Sequence, residues 1–213
     1  ELIPIDEAAD RDRFVIVDSE FVGHDFAGLA VSSAIAPVIE RNLLADHGAC
    51  GICNVEGAAG EAVDNTIERD VLGVQIAGEA TPLVDGNTLR DNTSAGLVAD
   101  GDANPTVTRN TIEGNGAVGV QIQGTAGPTL TDNTIGPHPV AISIIDDATA
   151  SIRMNTIEGA EVAVRIGGRA APSLADNAIR NSVLVGLAFD GDATGTFTGN
   201  QITGNLATGV LVG

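Results

Sequence analysis

The chain has 213 residues, of which 43% are hydrophobic and only 2% aromatic, so its length allows one domain with an aliphatic core. Its formal net charge is −19, from 29 acidic and 10 basic residues. This charge argues against nucleic acid and anionic membrane surfaces as partners, because both bind clustered cations, and no apolar run approaches the ~20 residues that direct membrane insertion needs.

Residues 1–12 lie outside the sequence repeat that occupies the rest of the chain. They are predicted to form a linker or a partial N-terminal cap, and residues 13–213 are predicted to form one repeat domain. The chain begins at Glu1 with neither an initiating Met nor a signal peptide. We therefore expect this domain to be a fragment of a larger protein.

From residue 13 onward the chain repeats every 22 or 23 residues. Each repeat contains two or three short segments of alternating apolar and polar residues, separated by turn residues, and none has a helical stripe. Coils of this length are typical of a parallel β-solenoid, in which equivalent residues stack ~4.8 Å apart. A recurring Asn is predicted to be buried and to exchange side-chain amide hydrogen bonds with its neighbours in adjacent coils. This predicted ladder contains Asn42, Asn65, Asn87, Asn110, Asn133, Asn155, Asn177 and Asn200.

Further columns keep the same phase as the Asn column. Aliphatic residues lie three positions before and two positions after most of the Asn residues, and they are predicted to form the core. A Gly column opens a later strand of each coil, at Gly28, Gly51, Gly73, Gly96, Gly119, Gly186 and Gly209.

The unit PTVTRNTIEGNGAVGVQI, from Pro105 to Ile122, resembles the right-handed parallel β-helix repeats of the pectin-lyase-like superfamily. Within that superfamily it is most similar to the short-coil repeats of the periplasmic copper-binding and carbohydrate-binding group. The resemblance covers about residues 13–213. It implies an all-β fold, a single-stranded right-handed parallel β-helix (solenoid) of about nine coils with an internal Asn ladder. It selects no activity, because the superfamily includes lyases, epimerases, hydrolases, adhesins and sensor domains.

His24 and His47 occupy equivalent positions in adjacent coils, so their Cα atoms are expected to stack roughly 5 Å apart. Together with Cys50 and Asp70 they form a candidate site for Zn²⁺ or Cu²⁺, since imidazole, thiolate and carboxylate groups all bind these ions. The favoured interpretation is that both His residues are exposed in turns, and no cofactor is expected; Zn²⁺ or Cu²⁺ at His24 and His47 is the alternative.

Cys50 and Cys53 flank the start of a predicted strand. Residues three positions apart on a regular strand point to opposite faces, so a disulfide between them is not expected, and one thiol is predicted to be buried and the other exposed. His138 is interpreted as a solvated turn residue.

Two kinds of outward surface remain as candidate binding sites. The acidic turns at Asp100–Asp102, Asp146–Asp147 and Asp190–Asp192 are interpreted as a solvated edge rather than a calcium site. Thr ladders on the outward strands are explained by β-propensity. An outward column after the Gly positions gives a candidate binding surface, which contains Gln75, Gln121, Ser143 and Arg165.

No catalytic residues are assigned. The chain has no Lys, no Arg is grouped with a carboxylate pair on one face, and Gly136-Pro137-His138-Pro139 departs from the D-P-H-E string of alginate epimerases. The sequence therefore favours a non-catalytic extracytoplasmic binding or sensor module with a rigid acidic surface. Such modules include sensor regions of bacterial receptor kinases and carbohydrate-recognition domains. The alternatives are a polysaccharide lyase, epimerase or hydrolase of the pectin-lyase-like superfamily, and a structural spacer or adhesin stalk.

The expected partner is a polysaccharide or a protein ligand. The chain stops at Gly213 within a coil and without a polar cap, which also predicts end-to-end contact at this C-terminal coil. The resemblance implies an extracytoplasmic location, either secreted or on the outer face of a membrane-anchored protein.

Overall fold

The computed structural model describes residues 14–32 and 36–213, and each coil in these ranges contributes one strand to each of three parallel sheets. These ranges contain no α-helix, and accordingly no helical segment that is long and apolar enough to cross a membrane. The structure confirms the all-β parallel solenoid predicted from the repeat. The predicted linker or cap at residues 1–12 lies outside the described residues.

The described strands are short, two to six residues each, and every sheet contains nine of them. The first sheet is formed by β1 (Val15–Val17), β4 (Val38–Glu40), β7 (Glu61–Val63), β10 (Leu83–Asp85), β13 (Thr106–Thr108), β16 (Thr129–Thr131), β19 (Ser151–Arg153), β22 (Ser173–Ala175) and β25 (Thr196–Thr198). The second is formed by β2 (Glu20–Val22), β5 (Leu43–Ala45), β8 (Thr66–Glu68), β11 (Thr88–Arg90), β14 (Thr111–Glu113), β17 (Thr134–Ile135), β20 (Thr156–Glu158), β23 (Ala178–Arg180) and β26 (Gln201–Thr203). The third is formed by β3 (Ala27–Ser32), β6 (Cys50–Val55), β9 (Leu72–Ile76), β12 (Ala95–Ala99), β15 (Val118–Ile122), β18 (Val140–Ile144), β21 (Val162–Ile166), β24 (Val185–Phe189) and β27 (Thr208–Val212).

The core lies inside the coils and is aliphatic, as the repeat predicts. The strand register pairs each core residue with its equivalent in the next coil, for example Val84 with Val107 and Leu89 with Ile112. All four of these side chains are fully buried. Uninterrupted stacking of this kind removes apolar surface from water in every coil, which is the main stabilising contribution in such a solenoid.

The Asn ladder is confirmed. Along the ladder, the side-chain Nδ2 of each Asn donates to Oδ1 of the Asn in the next coil at 2.9–3.0 Å. The same Oδ1 also accepts the backbone N–H of the preceding Asn. Each ladder Asn follows a tight turn, and the residue before it has a left-handed conformation, as at Asp64 (φ 52°) and Asp132 (φ 57°). The amide therefore supplies partners to backbone groups that this turn leaves unpaired.

The third-sheet strands bend at their Gly position. Gly51 and Ile52 are consecutive and both are buried, and the strand pairing passes from Cys50↔Leu72 to Ile52↔Val74 without a Gly51 pair. Two consecutive inward residues place the residues before and after them on the same outer side. This bend decides where Cys50 and Cys53 point.

The last coil exposes apolar side chains. Leu206 and Val212 are 78% and 77% exposed, and Val210 and Leu211 are about half exposed. End-to-end contact at this coil remains a prediction.

Candidate functional site

A second inward column of polar residues runs parallel to the Asn ladder, and we call it the second ladder. It occupies the turn between the second-sheet and third-sheet strands, five residues after each ladder Asn, with Ser19 in the place of Asn in the first coil. Its members, in chain order, are His24, His47, Asp70, Asn92, Asn115, His138, Ala160, Ser182 and Asn205.

The first three members form a continuous hydrogen-bonded chain. His24 Nδ1 lies 3.1 Å from His47 Nε2, and His47 Nδ1 lies 2.7 Å from Asp70 Oδ1. The two imidazole rings are nearly parallel, with planes 8° apart and centroids 5.1 Å apart, and they meet through these nitrogen atoms. This hydrogen-bonded series runs from the interior to the surface. The side chains of His47 and Asp70 have no exposed area, whereas His24 is exposed. The expected stacking of the two His residues is present, but His47 is not an exposed turn residue.

Asp70 forms the buried end of this hydrogen-bonded series. Its Oδ1 accepts both the backbone N–H and the ring Nδ1–H of His47, while its Oδ2 is buried without a hydrogen-bond partner. Burial raises the pKa of Asp70, and the hydrogen bonds from His47 oppose this shift. With Nδ1 directed at Asp70, His47 contacts His24 through its other ring nitrogen, Nε2.

At His24 the hydrogen-bonded series reaches an open hollow of about 430 Å³ on the surface. His24 and His47 line it together with Asp25, Asp46 and Arg69. Arg69 donates to both carboxylate oxygens of Asp46, at 3.0 and 2.9 Å, and this contact lowers the pKa of Asp46. An exposed His beside carboxylates is a suitable arrangement for binding a cation or for moving a proton.

Further along, the second ladder is built from amides and ends in a buried His. Asn92 Nδ2 donates to Asn115 Oδ1 at 2.9 Å, and Asn115 Nδ2 donates to His138 Nε2 at 3.2 Å. His138 Nδ1 donates to the Gly136 carbonyl at 2.9 Å. The prediction that His138 is a solvated turn residue was wrong: it is only 4% exposed, and burial lowers its pKa. His138 points inward because it continues the second ladder, in which it accepts the hydrogen bond from Asn115.

The Gly column makes room for the second ladder. A Cβ at Gly51 would lie 2.6 Å from Asp70 Oδ2, and a Cβ at Gly96 would lie 2.8 Å from Asn115 Nδ2. Where the ladder residue is Ala160, the corresponding column position is Ala141 rather than Gly. Large side chains of the second ladder therefore lie opposite Gly, and a small one lies opposite Ala. His47 and Asp70 occupy space that the neighbouring glycines leave open.

The prediction that Cys50 and Cys53 do not pair was wrong. Their sulfur atoms are joined in a disulfide, with the Cα atoms 5.8 Å apart. The bend at Gly51 is the reason, because it brings Cys50 and Cys53 to the same outer side of the strand, where a regular strand would separate them. Both residues are buried, and the expected exposed thiol is not present.

The structure separates the four candidate metal residues into two groups. His24 and His47 lie together, and Asp70 contacts His47 through the ring nitrogen that faces away from His24. The sulfur of Cys50 belongs to the disulfide, so the predicted thiolate ligand is lost. Among the residues that the structure describes, no group of three or more His, Cys, Asp or Glu side chains is arranged to hold a metal ion.

The outward column of the third sheet is continuous. Gln75, Val98, Gln121, Ser143 and Arg165 are register partners in successive coils. The two Gln side chains are half-buried, Arg165 is exposed, and Ser143 is only 7% exposed, less than expected for a surface residue.

The acidic turns carry ion pairs with arginines of neighbouring coils. Asp147 pairs with Arg169, and Asp190 pairs with Arg165 at 2.8 and 3.1 Å. Exposed pairs of this kind contribute about 0–1 kcal/mol to stability. Asp102 and Asp192 are exposed.

Similar proteins support the fold. The family described as "Right handed beta helix region" matches residues 7–135, and the family described as "Periplasmic copper-binding protein (NosD)" matches residues 116–213. Among solved structures, a mutant of the periplasmic alginate epimerase AlgG is similar, with a TM-score of 0.72 and 17% sequence identity. The match covers 94% of this chain and 50% of that one, so this chain spans half the length of AlgG. No curated protein sequence matches this chain.

The segment matched by the copper-binding family does not fit a copper ion. Residues 116–213 contain one His, His138, and no Cys. Both ring nitrogens of His138 are engaged, by Asn115 and by the Gly136 carbonyl, and the ring is buried. We derive no function from copper in this segment.

Proposed function

Because this chain belongs to the right-handed β-helix family, we propose that it is a non-catalytic, extracytoplasmic recognition module that binds an elongated neutral polysaccharide along its third sheet. The observation that carries the proposal is the unbroken outward column of that sheet, from Gln75 through Gln121 to Arg165. Such a module would suit a carbohydrate-recognition domain or the sensor region of a bacterial receptor kinase.

An extracytoplasmic location is supported by two observations. The Cys50–Cys53 disulfide is a bond that persists in oxidising compartments and is rare in the cytosol. The similar epimerase and the copper-binding family are both described as periplasmic.

The third sheet offers two parallel rows of contrasting chemistry. One row contains the Gln and Arg side chains of the outward column. The Gln amides can donate and accept hydrogen bonds, and Arg165 can donate them. The other contains half-buried apolar residues three positions earlier in each strand, such as Leu72, Val118 and Val162. Both rows repeat once per coil, ~4.8 Å apart. A polysaccharide also pairs apolar C–H faces with hydroxyl groups, so it can contact both rows over several coils.

Charge favours a neutral rather than an acidic polysaccharide. The formal net charge is −19, and seven arginines are already engaged in ion pairs with carboxylates of this chain: Arg41, Arg69, Arg90, Arg109, Arg165, Arg169 and Arg180. A polyanion would have to break these pairs or approach a negative surface. The alternative of a lyase or epimerase acting on polyuronates needs cations or metal ions that neutralise the substrate, and is disfavoured for the same reason.

The test is the binding of soluble neutral and acidic polysaccharides to the untagged chain, measured as a shift in melting temperature and confirmed by titration. We expect one neutral polysaccharide to raise the melting temperature. The double variant Gln75→Ala/Gln121→Ala should weaken that binding at least ~10-fold, since it removes two hydrogen-bonding side chains from the face.

Gln201→Ala is the matched control, because Gln201 is an exposed glutamine on the second sheet. It should leave binding unchanged. The proposal is overturned if no polysaccharide binds, which would favour a spacer or stalk, or if only acidic polysaccharides bind. It is also overturned if the double variant binds like the control.

A further inference from the structure

We propose that His24 and His47 form a binding site for a divalent transition-metal ion such as Cu²⁺ or Zn²⁺, with Asp70 as the outer-sphere partner that orients His47. This site lies outside residues 116–213, the segment matched by the copper-binding family. It is also independent of polysaccharide recognition, because it uses the turn before the third sheet rather than its outward face.

The distance between the two ring nitrogens suits shared coordination. Two imidazole nitrogens at 2.0–2.1 Å from one ion are about 2.9 Å apart at a right angle and about 3.4 Å apart at the tetrahedral angle. His24 Nδ1 and His47 Nε2 are 3.1 Å apart, within this interval. Binding would replace this hydrogen bond, and the proton shared by the two nitrogens would be released to solvent or carried on Nε2 of His24.

Asp70 prepares His47 for this role. Histidine ligands usually donate their second ring N–H to a carboxylate, which fixes the tautomer and raises the basicity of the ligating nitrogen. His47 Nδ1 has this contact with Asp70 Oδ1, at 2.7 Å and in a buried setting. The other oxygen, Oδ2, is buried without a hydrogen-bond partner. The Asp70 side chain is therefore held beside His47 by the contacts of Oδ1 alone.

An ion can reach the two nitrogens from solvent. His24 is exposed, and both His residues line the open hollow that also contains the carboxylates of Asp25 and Asp46. The remaining coordination positions face this hollow, where water can fill them. Cu²⁺ and Zn²⁺ are the divalent ions best suited to imidazole ligands, and Cu²⁺ is expected to bind more tightly.

The fold provides an internal comparison for this site. His138 occupies the same column, but its neighbours in the adjacent coils are Asn115 and Ala160, and both of its ring nitrogens are engaged. His138 therefore has the same burial and column position as His47 without a second imidazole. It should contribute nothing to metal binding.

The test is calorimetric titration of the untagged chain with Cu²⁺ and Zn²⁺ under non-reducing conditions, together with electron paramagnetic resonance of the Cu²⁺ form. We expect one ion per chain and nitrogen hyperfine structure from imidazole ligands. His24→Ala changes an exposed residue and should weaken binding at least ~100-fold. Asp70→Asn should weaken it about 10–100-fold, as loss of an outer-sphere partner does. His138→Asn should bind like the unaltered chain.

Circular dichroism of each variant establishes that the fold is retained. The proposal is overturned if the unaltered chain binds no ion, if its Cu²⁺ spectrum shows only oxygen ligands, or if His24→Ala binds as tightly as the unaltered chain. Unchanged affinity in Asp70→Asn would overturn the role given to Asp70.

Discussion

Replacing Asn110 by Leu tests whether the Asn ladder stabilises the fold. Oδ1 of Asn110 accepts the Asn87 backbone N–H at 2.8 Å and Asn87 Nδ2 at 3.0 Å. Its Nδ2 donates to the carbonyls of Val84 and Thr108 and to Asn133 Oδ1. Leu has a similar size but removes all of these bonds, and the buried Asn87 N–H loses its acceptor. A buried group left without a partner costs about 1–3 kcal/mol, so we expect a loss of about 2–4 kcal/mol in the free energy of unfolding.

Urea unfolding at neutral pH measures this loss against two controls. Thr111→Ala changes the next residue, which is only half-buried, and should cost less than about 1 kcal/mol. Asn200→Leu should give an intermediate loss, because Asn200 is partly exposed and accepts hydrogen bonds only from Asn177. The reasoning is refuted if Asn110→Leu and Thr111→Ala cost the same, or if the urea dependence differs so much between variants that unfolding is no longer one transition.

Three further predictions concern the second ladder, and urea unfolding checks each of them. Gly96→Ala should lower the free energy of unfolding by about 1–3 kcal/mol, because the added Cβ would overlap the side-chain amide of Asn115. Ala141→Gly, where the ladder residue is the small Ala160, should lower it by less than about 1 kcal/mol. Equal losses would contradict the size matching between the two columns. Burial lowers the pKa of His138, so the unfolded chain binds more protons than the folded one and stability falls as the pH drops below ~6.5. His138→Asn should flatten this pH dependence of stability between pH 7 and pH 5. An unchanged slope would show that His138 does not cause it. Burial raises the pKa of Asp70, so Asp70→Asn should raise the free energy of unfolding at pH 7, and this gain should shrink as the pH falls. A loss at pH 7 would mean that the fold needs the carboxylate.

The fold follows from the sequence because its repeat is strict. Asn recurs every 22 or 23 residues, and at that spacing a buried amide can form a hydrogen bond with the same amide one coil away. The aliphatic columns around it then have only one side on which to pack. Few folds satisfy both conditions, which is why a parallel β-solenoid with a shared core could be predicted from the repeat. The number of sheets could not, because each repeat showed two or three short segments and the structure has three sheets.

The second ladder was missed because it varies in chemistry. The column contains His, Asp, Asn, Ala and Ser. Because no single residue type recurs, the sequence pattern indicates only a variable turn. Its signal is the size relation with the Gly column, where Ala141 and Ala163 replace Gly opposite Ala160 and Ser182. This relation between two columns shows that they are in contact, and contact between them places both inside the coil.

The candidate site shows the same limit of spacing arguments. Spacing brought His24 and His47 together correctly, because equivalent positions stack in a solenoid whatever the local backbone. It gave the wrong result for Cys50 and Cys53, because their relation depends on the local bend at Gly51. Stacking between coils is therefore predictable from the sequence, while the direction of a side chain within one coil depends on backbone detail that the repeat does not encode.

The composition of the second ladder separates structural from functional demands. Asn92 and Asn115 satisfy the column with neutral amides, which hydrogen-bond to each other, to backbone groups and, at Asn115, to His138. His47 and Asp70 occupy the same environment at a cost, since a carboxylate with an unpartnered oxygen is buried there. The fold would be served at least as well by Asn at these two positions. Because the costly pair also leads to the exposed imidazole of His24, its presence is better explained by binding at that surface than by holding the coils together.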